Sequence, residues 1–190
     1  TSFTLLRDLI TFPADKKFAS KEEDEVLFID RESLHNTPKK FFTPEEENNF
    51  FTLFTEVPTT NTKDINTHLQ TMQSAWKERG IDFRYKNDPT KASLISAVFH
   101  SQITPEENTL FVGHVGVLVP FEGKLLFIEK LAFQEPYQAI KFANRAELSD
   151  YLMNRYDVEW EQPNAIPFIM ENDALMEGYR PNPYKKEQRL

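Results

Sequence analysis

At 190 residues the chain is long enough for one domain with a substantial core, and its length does not demand two. Its formal net charge of −8 argues against a nucleic-acid or anionic-membrane partner, because phosphate binding needs clustered cations. The lack of cysteine excludes disulfides and thiolate metal sites within residues 1–190. Phenylalanine is frequent, with 17 residues, and glycine is scarce, with 5, so we expect a bulky aromatic core.

The first 80 residues show mainly helical patterns. A first helix is expected over residues 1–12, because one side of it is apolar, formed by Leu5, Leu6, Leu9 and Ile10. The capping sequence Thr43-Pro44-Glu45-Glu46 predicts a second helix that extends to about Thr55. A third is expected over about 64–80, with His68 on its exposed side.

The segments around these helices have weaker patterns. Residues 14–24 are expected to form a polar loop, and residues 25–29 a short edge strand or the last turn of a helix. Residues 30–42 are expected to be irregular. Residues 81–85 and 94–99 have the composition of strands.

The stretch from Leu110 to Leu131 organises the second half of the chain. Two apolar runs are separated by Pro120-Phe121-Glu122-Gly123, which predicts a β-hairpin buried on both faces at the centre of a sheet. A short strand is expected at 139–142, and Asn144 with Glu147 caps a helix that extends to about Tyr156. The proline-rich tail after it is expected to wrap the surface, with residues 166–170 docked.

Two polar side chains, His114 and Glu129, lie well inside the hairpin runs. A four-residue loop places them directly opposite each other. A two-residue loop, Glu122-Gly123, shifts the pairing by one diagonal step but keeps both on the same face, whereas a three-residue loop separates them. Gly116 is expected to leave that face open beside the imidazole.

A histidine beside a carboxylate is the orienting half of a nucleophile–base–acid arrangement. From the residues alone, three other interpretations stay open. His114 and Glu129 could satisfy each other inside the sheet. They could bind a metal with His100, although no His-x-His spacing supports it. Thr1 could instead be an N-terminal nucleophile that uses its own amine as the base.

The run Gly113-His114-Val115-Gly116-Val117-Leu118 resembles the histidine strand of NlpC-type and related papain-like cysteine peptidases. In that superfamily a His-x-Gly-apolar strand start places the catalytic imidazole, and a polar residue on the next strand orients it. The nucleophile is a cysteine at the N-terminus of a helix packed on the sheet, where the helix end favours a thiolate.

More closely, residues 111–142 are similar to an uncharacterised family of Gram-positive bacterial lipoproteins, the domain of unknown function numbered forty-three hundred. The similar motifs are Gly-His-Val-Gly-Val-Leu, Phe127-Ile128-Glu129-Lys130 and Pro136-Tyr137-Gln138. In that family an Asn-Cys-Arg motif lies just ahead of a helix that resembles residues 1–12.

The element pattern and the resemblance together imply an α+β fold, papain-like or NlpC-like, with N-terminal helices packed on a mostly antiparallel sheet. We expect a single domain over 1–190 that lacks an upstream segment. Its expected parts are a mainly helical part at 1–80, a sheet part at 81–143, a helix at 144–156 and an irregular tail at 157–190.

The resemblance implies a thiol peptidase or amidase of the extracellular bacterial surface, anchored by a lipid upstream of these residues. His114 would be the general base and Glu129 its orienter, with the cysteine nucleophile ahead of Thr1. Tyr137 and Gln138 would supply substrate contacts or oxyanion support. We expect a peptide or cell-wall substrate and no metal, cofactor or nucleic acid, and we predict no oligomeric state. The alternative is a catalytically inactive papain-like surface module that binds peptide or glycan.

Overall fold

The structure is a computed structural model, and it describes residues 2–13, 27–37, 40–132, 135–158 and 161–185. The helices in these ranges are α1 (Ser2–Leu6), α2 (Phe28–Asn36), α3 (Pro44–Phe54), α4 (Ile65–Glu78) and α5 (Arg145–Tyr156). The strands are β1 (Ile10–Thr11), β2 (Val57–Pro58), β3 (Asp82–Phe83), β4 (Ser93–Gln102), β5 (Asn108–Phe121), β6 (Lys124–Lys130), β7 (Tyr137–Phe142), β8 (Phe168–Glu171) and β9 (Ala174–Leu175). Among these residues, no helix has the length and apolar character needed to cross a bilayer.

The strands build one large sheet in the order β7-β6-β5-β4-β8-β9, and β2 pairs with the start of β5. Every strand pair described is antiparallel, including the separate pair of β1 with β3. The fold is therefore α+β with an antiparallel sheet, as the element pattern predicts.

The sheet separates two apolar cores. The N-terminal core packs one face of the sheet against α1, α3 and α4, and its sheet residues include Leu94, Val98, Leu110 and Val117. The α5 core packs the other face against α5, and its sheet residues include Ile95, Ala97, Leu118 and Phe127. Adjacent residues of β4 and β5 thus enter different cores, because side chains alternate along a strand. The expected burial on both faces is therefore confirmed for the part of β5 around Val117 and Leu118, but it is wrong for β6, in which only alternate residues are fully buried.

The helix starts predicted from capping residues are confirmed. Thr43 accepts a hydrogen bond from the Glu46 amide while the Glu46 carboxylate accepts one from the Thr43 amide, which completes a capping box. The Asp64 side chain caps α4, and the Asn144 side chain caps α5. Gly80 has a φ of 75°, as expected of the glycine that ends a helix.

The first predicted helix is wrong in length and partly in its buried side. Only residues 2–6 are α-helical; a 3-10 turn follows, and Ile10 and Thr11 pair with β3. Phe3 faces the N-terminal core, where it contacts four phenylalanine rings, whereas Leu5 is 57% exposed. Ile10 and Thr11 are both β-branched, and such residues favour an extended backbone when a partner strand is present.

Residues 30–42 were expected to be irregular, but helix α2 covers residues 28–36. None of its residues is fully buried, and Phe28 is 57% exposed. The helix therefore has no apolar stripe from which the sequence could predict it. The predicted loop at 14–24 lies outside the described residues, as does the start of the 25–29 segment.

The expected docking of residues 166–170 is confirmed by their burial, but the expectation of an irregular tail is wrong for residues 168–171. These residues form β8, which pairs with β4 inside the sheet. Phe168 and Met170 enter the N-terminal core, and Ile169 enters the α5 core, so the strand is buried on both faces. A four-residue strand buried in this way shows no alternation in the sequence.

The prediction that His68 lies on the exposed side of α4 is wrong. The residue is 0% exposed and packs against the sheet. Its ring lies 4.6 Å from the ring of His100 on β4. Its two nitrogens bond to the Thr59 hydroxyl and to the Thr62 carbonyl oxygen. His100 accepts a hydrogen bond from the Ala165 amide and bonds to Asn108. Burial lowers the pKa of His68 below its ordinary value of 6.5, and the nearby His100 adds to this effect.

This buried histidine predicts a stability that falls on acidification. A histidine whose folded-state pKa is depressed binds fewer protons when folded than when unfolded. Its contribution is therefore complete above the unfolded pKa of about 6.5 and is lost as the pH falls from there, by at most about 1.4 kcal/mol per pH unit. The measurement is urea unfolding between pH 8 and pH 5.

The variant His68→Gln should show a flatter pH dependence of the free energy of unfolding than the wild type. His35 lies on the exposed surface of α2, so His35→Gln is the matched control and should follow the wild type. An identical slope in His68→Gln and the wild type would contradict the prediction.

Candidate active site

A bulge in β5 sets the direction of the His114 side chain. Ala97 of β4 pairs with His114, but the next residue, Val98, pairs with Val112, so Gly113 is an extra residue in β5. Directly paired residues project to the same face of a sheet. His114 therefore faces the α5 core with Ala97, and its ring lies 4.8 Å from that of Tyr156 on α5.

The turn between β5 and β6 brings Glu129 to the same place. Glu122 and Gly123 form a two-residue loop, and both have positive φ, 50° and 73°. Phe121 then pairs with Lys124, and the register extends to the pair of Gly116 with Glu129. Glu129 is thus the diagonal neighbour of His114 on the same face, as the sequence predicts for a two-residue loop.

A short hydrogen bond joins the two side chains, with 2.5 Å between His114 Nε2 and Glu129 Oε2. The other carboxylate oxygen, Oε1, accepts a hydrogen bond of 2.6 Å from the Tyr151 hydroxyl and one of 2.6 Å from Gln138 Nε2. Gln138 Nε2 also donates to the Tyr151 oxygen at 2.9 Å. Four side chains from β5, β6, β7 and α5 thus form one polar network around Glu129.

The network keeps the Glu129 carboxyl ionised although it is 1% exposed. Burial by itself raises its pKa, but the hydrogen bonds from His114, Tyr151 and Gln138 outweigh this effect, and the pKa is lowered. Burial, together with the Glu129 charge, raises the pKa of Tyr151 to about 12, so its hydroxyl keeps the proton that it donates.

This charge distribution assigns the histidine tautomer. An ionised carboxylate only accepts hydrogen bonds, so we assign the proton between the two side chains to His114 Nε2. In the neutral ring Nδ1 then has the free lone pair. No residue in the described part of the chain hydrogen-bonds to Nδ1, and 8% of the side chain is exposed. The carboxylate thus fixes one ring nitrogen, and the other makes no hydrogen bond to the described residues.

Gly116 does not leave open space beside the imidazole, contrary to expectation. A Cβ at this position would overlap the ring of Phe127, which fills that side of the face and is 0% exposed. The glycine is required because the aromatic ring crosses the strand at this point. Gly113, on the other side of His114 along β5, is exposed, but a Cβ there would overlap the ring of Phe99.

Only one of the two residues predicted as substrate contacts, Tyr137 and Gln138, lies at the site. Both belong to β7 rather than to a turn. Gln138 joins the network through its amide nitrogen, which is already used twice. Tyr137 is 55% exposed, and Lys130 Nζ lies 5.6 Å from its ring centroid. The structure therefore brings Gln138 to the site and leaves Tyr137 outside it.

The other histidine considered for this site lies elsewhere. His100 pairs with Leu110 of the N-terminal core, on the opposite face of the sheet from His114. Within the part of the chain that the structure describes, no group of three metal-ligating side chains converges.

Helix α1 is also on the opposite face. Its Phe3 and Leu6 pack in the N-terminal core. The resemblance implies a nucleophile at the start of this helix, close to the imidazole, but in the structure the sheet lies between Phe3 and Leu6 on one face and the ring of His114 on the other. Thr1 itself is outside the described residues.

Two aromatic residues of the site come from α5. Tyr151 bonds to Glu129, and Tyr156 covers the imidazole ring. The sequence predicts that this helix extends to about Tyr156 and does not single out Tyr151. Its spacing could have done so, because Tyr151 follows Leu148 by three residues and therefore lies on the same helix face.

The network predicts a specific effect of Tyr151→Phe. Loss of the hydroxyl removes one donor to the buried carboxylate and one acceptor for Gln138, so the free energy of unfolding should fall by about 1–2 kcal/mol at neutral pH. A lowered carboxyl pKa stabilises the folded state above the ordinary value of 4.5, and this contribution is lost as the pH falls through the folded-state pKa. The deficit of the variant should therefore shrink at acidic pH.

The same urea titrations on Tyr184→Phe give the control, since Tyr184 is 67% exposed. This variant should match the wild type at every pH. Equal stability of Tyr151→Phe and Tyr184→Phe would mean that the network contributes nothing measurable.

Comparison with known proteins agrees with the motifs of residues 111–142. Residues 1–176 match a family described as a domain of unknown function, DUF4300, and the match includes every residue of the polar network. No curated protein and no solved structure matches the chain. The match covers most of the sequence, and the chain therefore belongs to the DUF4300 family.

Proposed function

We propose that His114 and Glu129 are the base and orienter of a papain-like thiol peptidase or amidase whose cysteine nucleophile lies outside residues 1–190. The observation that supports this most is that the two nitrogens of the imidazole differ in their hydrogen bonding. Nε2 is held by a buried, ionised carboxylate, while Nδ1 makes no hydrogen bond to the described residues. A general base needs this arrangement of one oriented and one available nitrogen.

Each residue then has a defined role in the reaction. His114 Nδ1 takes the thiol proton, and the thiolate attacks the carbonyl carbon of the amide. The imidazolium returns the proton to the leaving amine, and water then hydrolyses the thioester with His114 again as the base. Glu129 stabilises the imidazolium, and Tyr151 and Gln138 hold Glu129 in place. The scheme needs no metal or cofactor.

The position of α1 restricts how the nucleophile reaches the base. Its side chains pack on the far face of the sheet, and Tyr156 covers one side of the imidazole. Phe127 fills the side at Gly116. A cysteine preceding Thr1 would therefore have to reach Nδ1 along a side of the imidazole that neither of these rings covers.

The substrate class and location follow from the family resemblance. They are a peptide or isopeptide bond, in the cell wall or another surface polymer, cleaved by a lipid-anchored protein of the bacterial surface. The formal charge of −8 favours a substrate other than nucleic acid.

A second candidate is a catalytically inactive papain-like module that binds peptide or glycan at the cell surface. The burial of the site favours it: Glu129 is 1% exposed, and only 8% of the His114 side chain is exposed. In this case the network stabilises the fold, and the exposed backbone beside it is the binding surface.

Alkylation of the natural protein by iodoacetamide separates the two candidates. With a cysteine paired to His114, a thiolate forms well below the ordinary thiol pKa of about 8.5, so labelling at pH 6 should be fast. His114→Ala should slow labelling at pH 6 by about tenfold or more and leave labelling at pH 9 nearly unchanged.

The exposed His35 supplies the matched control, and His35→Ala should label at the wild-type rate at both pH values. Slow labelling of the wild type at pH 6, equal rates for His114→Ala and the wild type, or a natural protein without cysteine would each overturn the enzyme and leave the binding module.

A further inference from the structure

One stretch in the middle of β5 has no neighbouring strand along one of its edges. β4 pairs with β5 along the other edge. On this edge β2 pairs with Thr109 and Leu110, and β6 pairs with residues 116–121. Within the described ranges no strand pairs with this edge over residues 111–115. We call residues 111–115 the uncovered segment.

The exposure of β5 changes at the same boundaries. Every residue of the uncovered segment is at least partly exposed, and Gly113 is exposed. On either side, Leu110 and Leu118 are 0% exposed. Because glycine has no side chain, solvent reaches the main chain at Gly113, in a strand that is buried before and after this segment.

Both ends of the uncovered segment are held by specific contacts. At one end β6 turns away after Glu129, and Lys130 pairs with β7 while its Nζ donates to the carbonyl oxygens of Ala132 and Glu135. At the other end the guanidinium of Arg79 fixes the turn into β2 by donating to the carbonyl oxygens of Thr52, Thr55 and Glu56. Specific hydrogen bonds thus fix the ends of β2 and β6 that border the uncovered segment.

We propose that the uncovered segment binds an extended peptide as an added antiparallel strand. β2 and β6 both run antiparallel to β5, so a peptide in the same direction would continue their line. Its length would be about five residues, or roughly 17 Å at 3.4 Å per residue. The peptide would satisfy the main-chain N–H and C=O groups that face away from β4.

The chemistry of this edge selects a peptide rather than a glycan. Unpaired N–H and C=O groups that alternate along a strand match another main chain in spacing and polarity. Side-chain selection would come from the α5 face, where Phe111 stacks on Phe99 at 5.5 Å between ring centroids, and Tyr156 meets Phe99 at 5.9 Å. This wall favours an apolar side chain in the peptide.

The uncovered segment also includes His114, which links binding to the proposed chemistry. A peptide along this edge passes beside the residue whose Nδ1 is available, so one of its carbonyl groups lies next to the base. The inference rests on the proposed function for this step alone. Peptide binding holds equally for an inactive module, so the two can fail separately.

The outer edge of β7 is the natural internal comparison. It is an edge strand of the sheet in the described chain, and its Lys141 leans away from that edge, towards Glu122 and the Phe121 ring of the β5–β6 turn. The uncovered segment adds the aromatic wall of Phe99, Phe111 and Tyr156 to its main-chain groups. A peptide that recognises both the main chain and this wall should therefore choose the uncovered segment over β7.

The test is panning of a phage-displayed random heptapeptide library on the natural protein, followed by hydrogen exchange with a synthetic selected peptide. Those amides of residues 111–115 that are not bonded to β4 should exchange about tenfold more slowly when the peptide is present at about ten times its Kd. The amides of β7 should not change. N-methylation of alternate peptide residues should abolish binding at one set of positions and not at the other.

The variant His114→Ala keeps the main chain of the uncovered segment, so it should still bind the peptide even though its thiol labelling at pH 6 is slower. Four results would overturn the inference: a library that gives no enrichment, protection at β7 instead, insensitivity to N-methylation, or protection of residues 111–115 in the protein without peptide. The last result would mean that the chain covers this edge with its own residues.

Discussion

The β-bulge at Gly113 lets β5 serve both cores next to the polar network. In a regular strand Val112 and His114 would face the same side of the sheet, because side chains alternate. With Gly113 as an extra residue, Val112 packs against the N-terminal core, whereas His114 faces the α5 core and bonds to Glu129. The hairpin register, in which Gly116 pairs with Glu129, requires His114 on that side, so the bulge reconciles this register with the pairing of β4.

The network around Glu129 has the features of a site that must keep one geometry. Burial of a carboxylate costs several kcal/mol unless charge-assisted hydrogen bonds offset it. Here the donors come from three strands or helices besides β6 itself, so the four elements must be in register for all bonds to form. Loss of one donor leaves the charge in place and poorly compensated, which makes the arrangement cooperative.

Local signals with a physical mechanism predicted the structure well, and long-range pairings did not follow from the sequence. The capping residues Thr43, Asp64 and Asn144 define helix starts by short-range hydrogen bonds, and the Glu122-Gly123 turn fixes the register of its hairpin. β8 has no such signal, because its partner β4 is far away in the sequence. His68 was misplaced because its partner, His100, belongs to another element.

The same contrast between local and long-range contacts applies to the residues of the site. The pairing of His114 with Glu129 could be deduced from hairpin geometry, since both residues lie within one local unit. Gln138 was named for its motif, but its role depends on the register between β6 and β7. Tyr151 belongs to helix α5, and no local sequence pattern predicts that this helix packs on this face of the sheet. The Phe127 ring fills the space at Gly116, and this depends on side-chain packing that the sequence does not show.

The place of β8 in the sheet has a consequence for the order in which the molecule can form. β8 is bound to the edge of β4 by contacts between residues 78 positions apart, such as the Asn172 side chain and the Leu94 amide. While a ribosome is still adding this region, the exposed margin of β4 has no partner, and long-range closure of this kind is slow. A nascent chain that has already made His114 and Glu129 therefore cannot complete either core, and maturation of the cleft waits for the last quarter of the polypeptide.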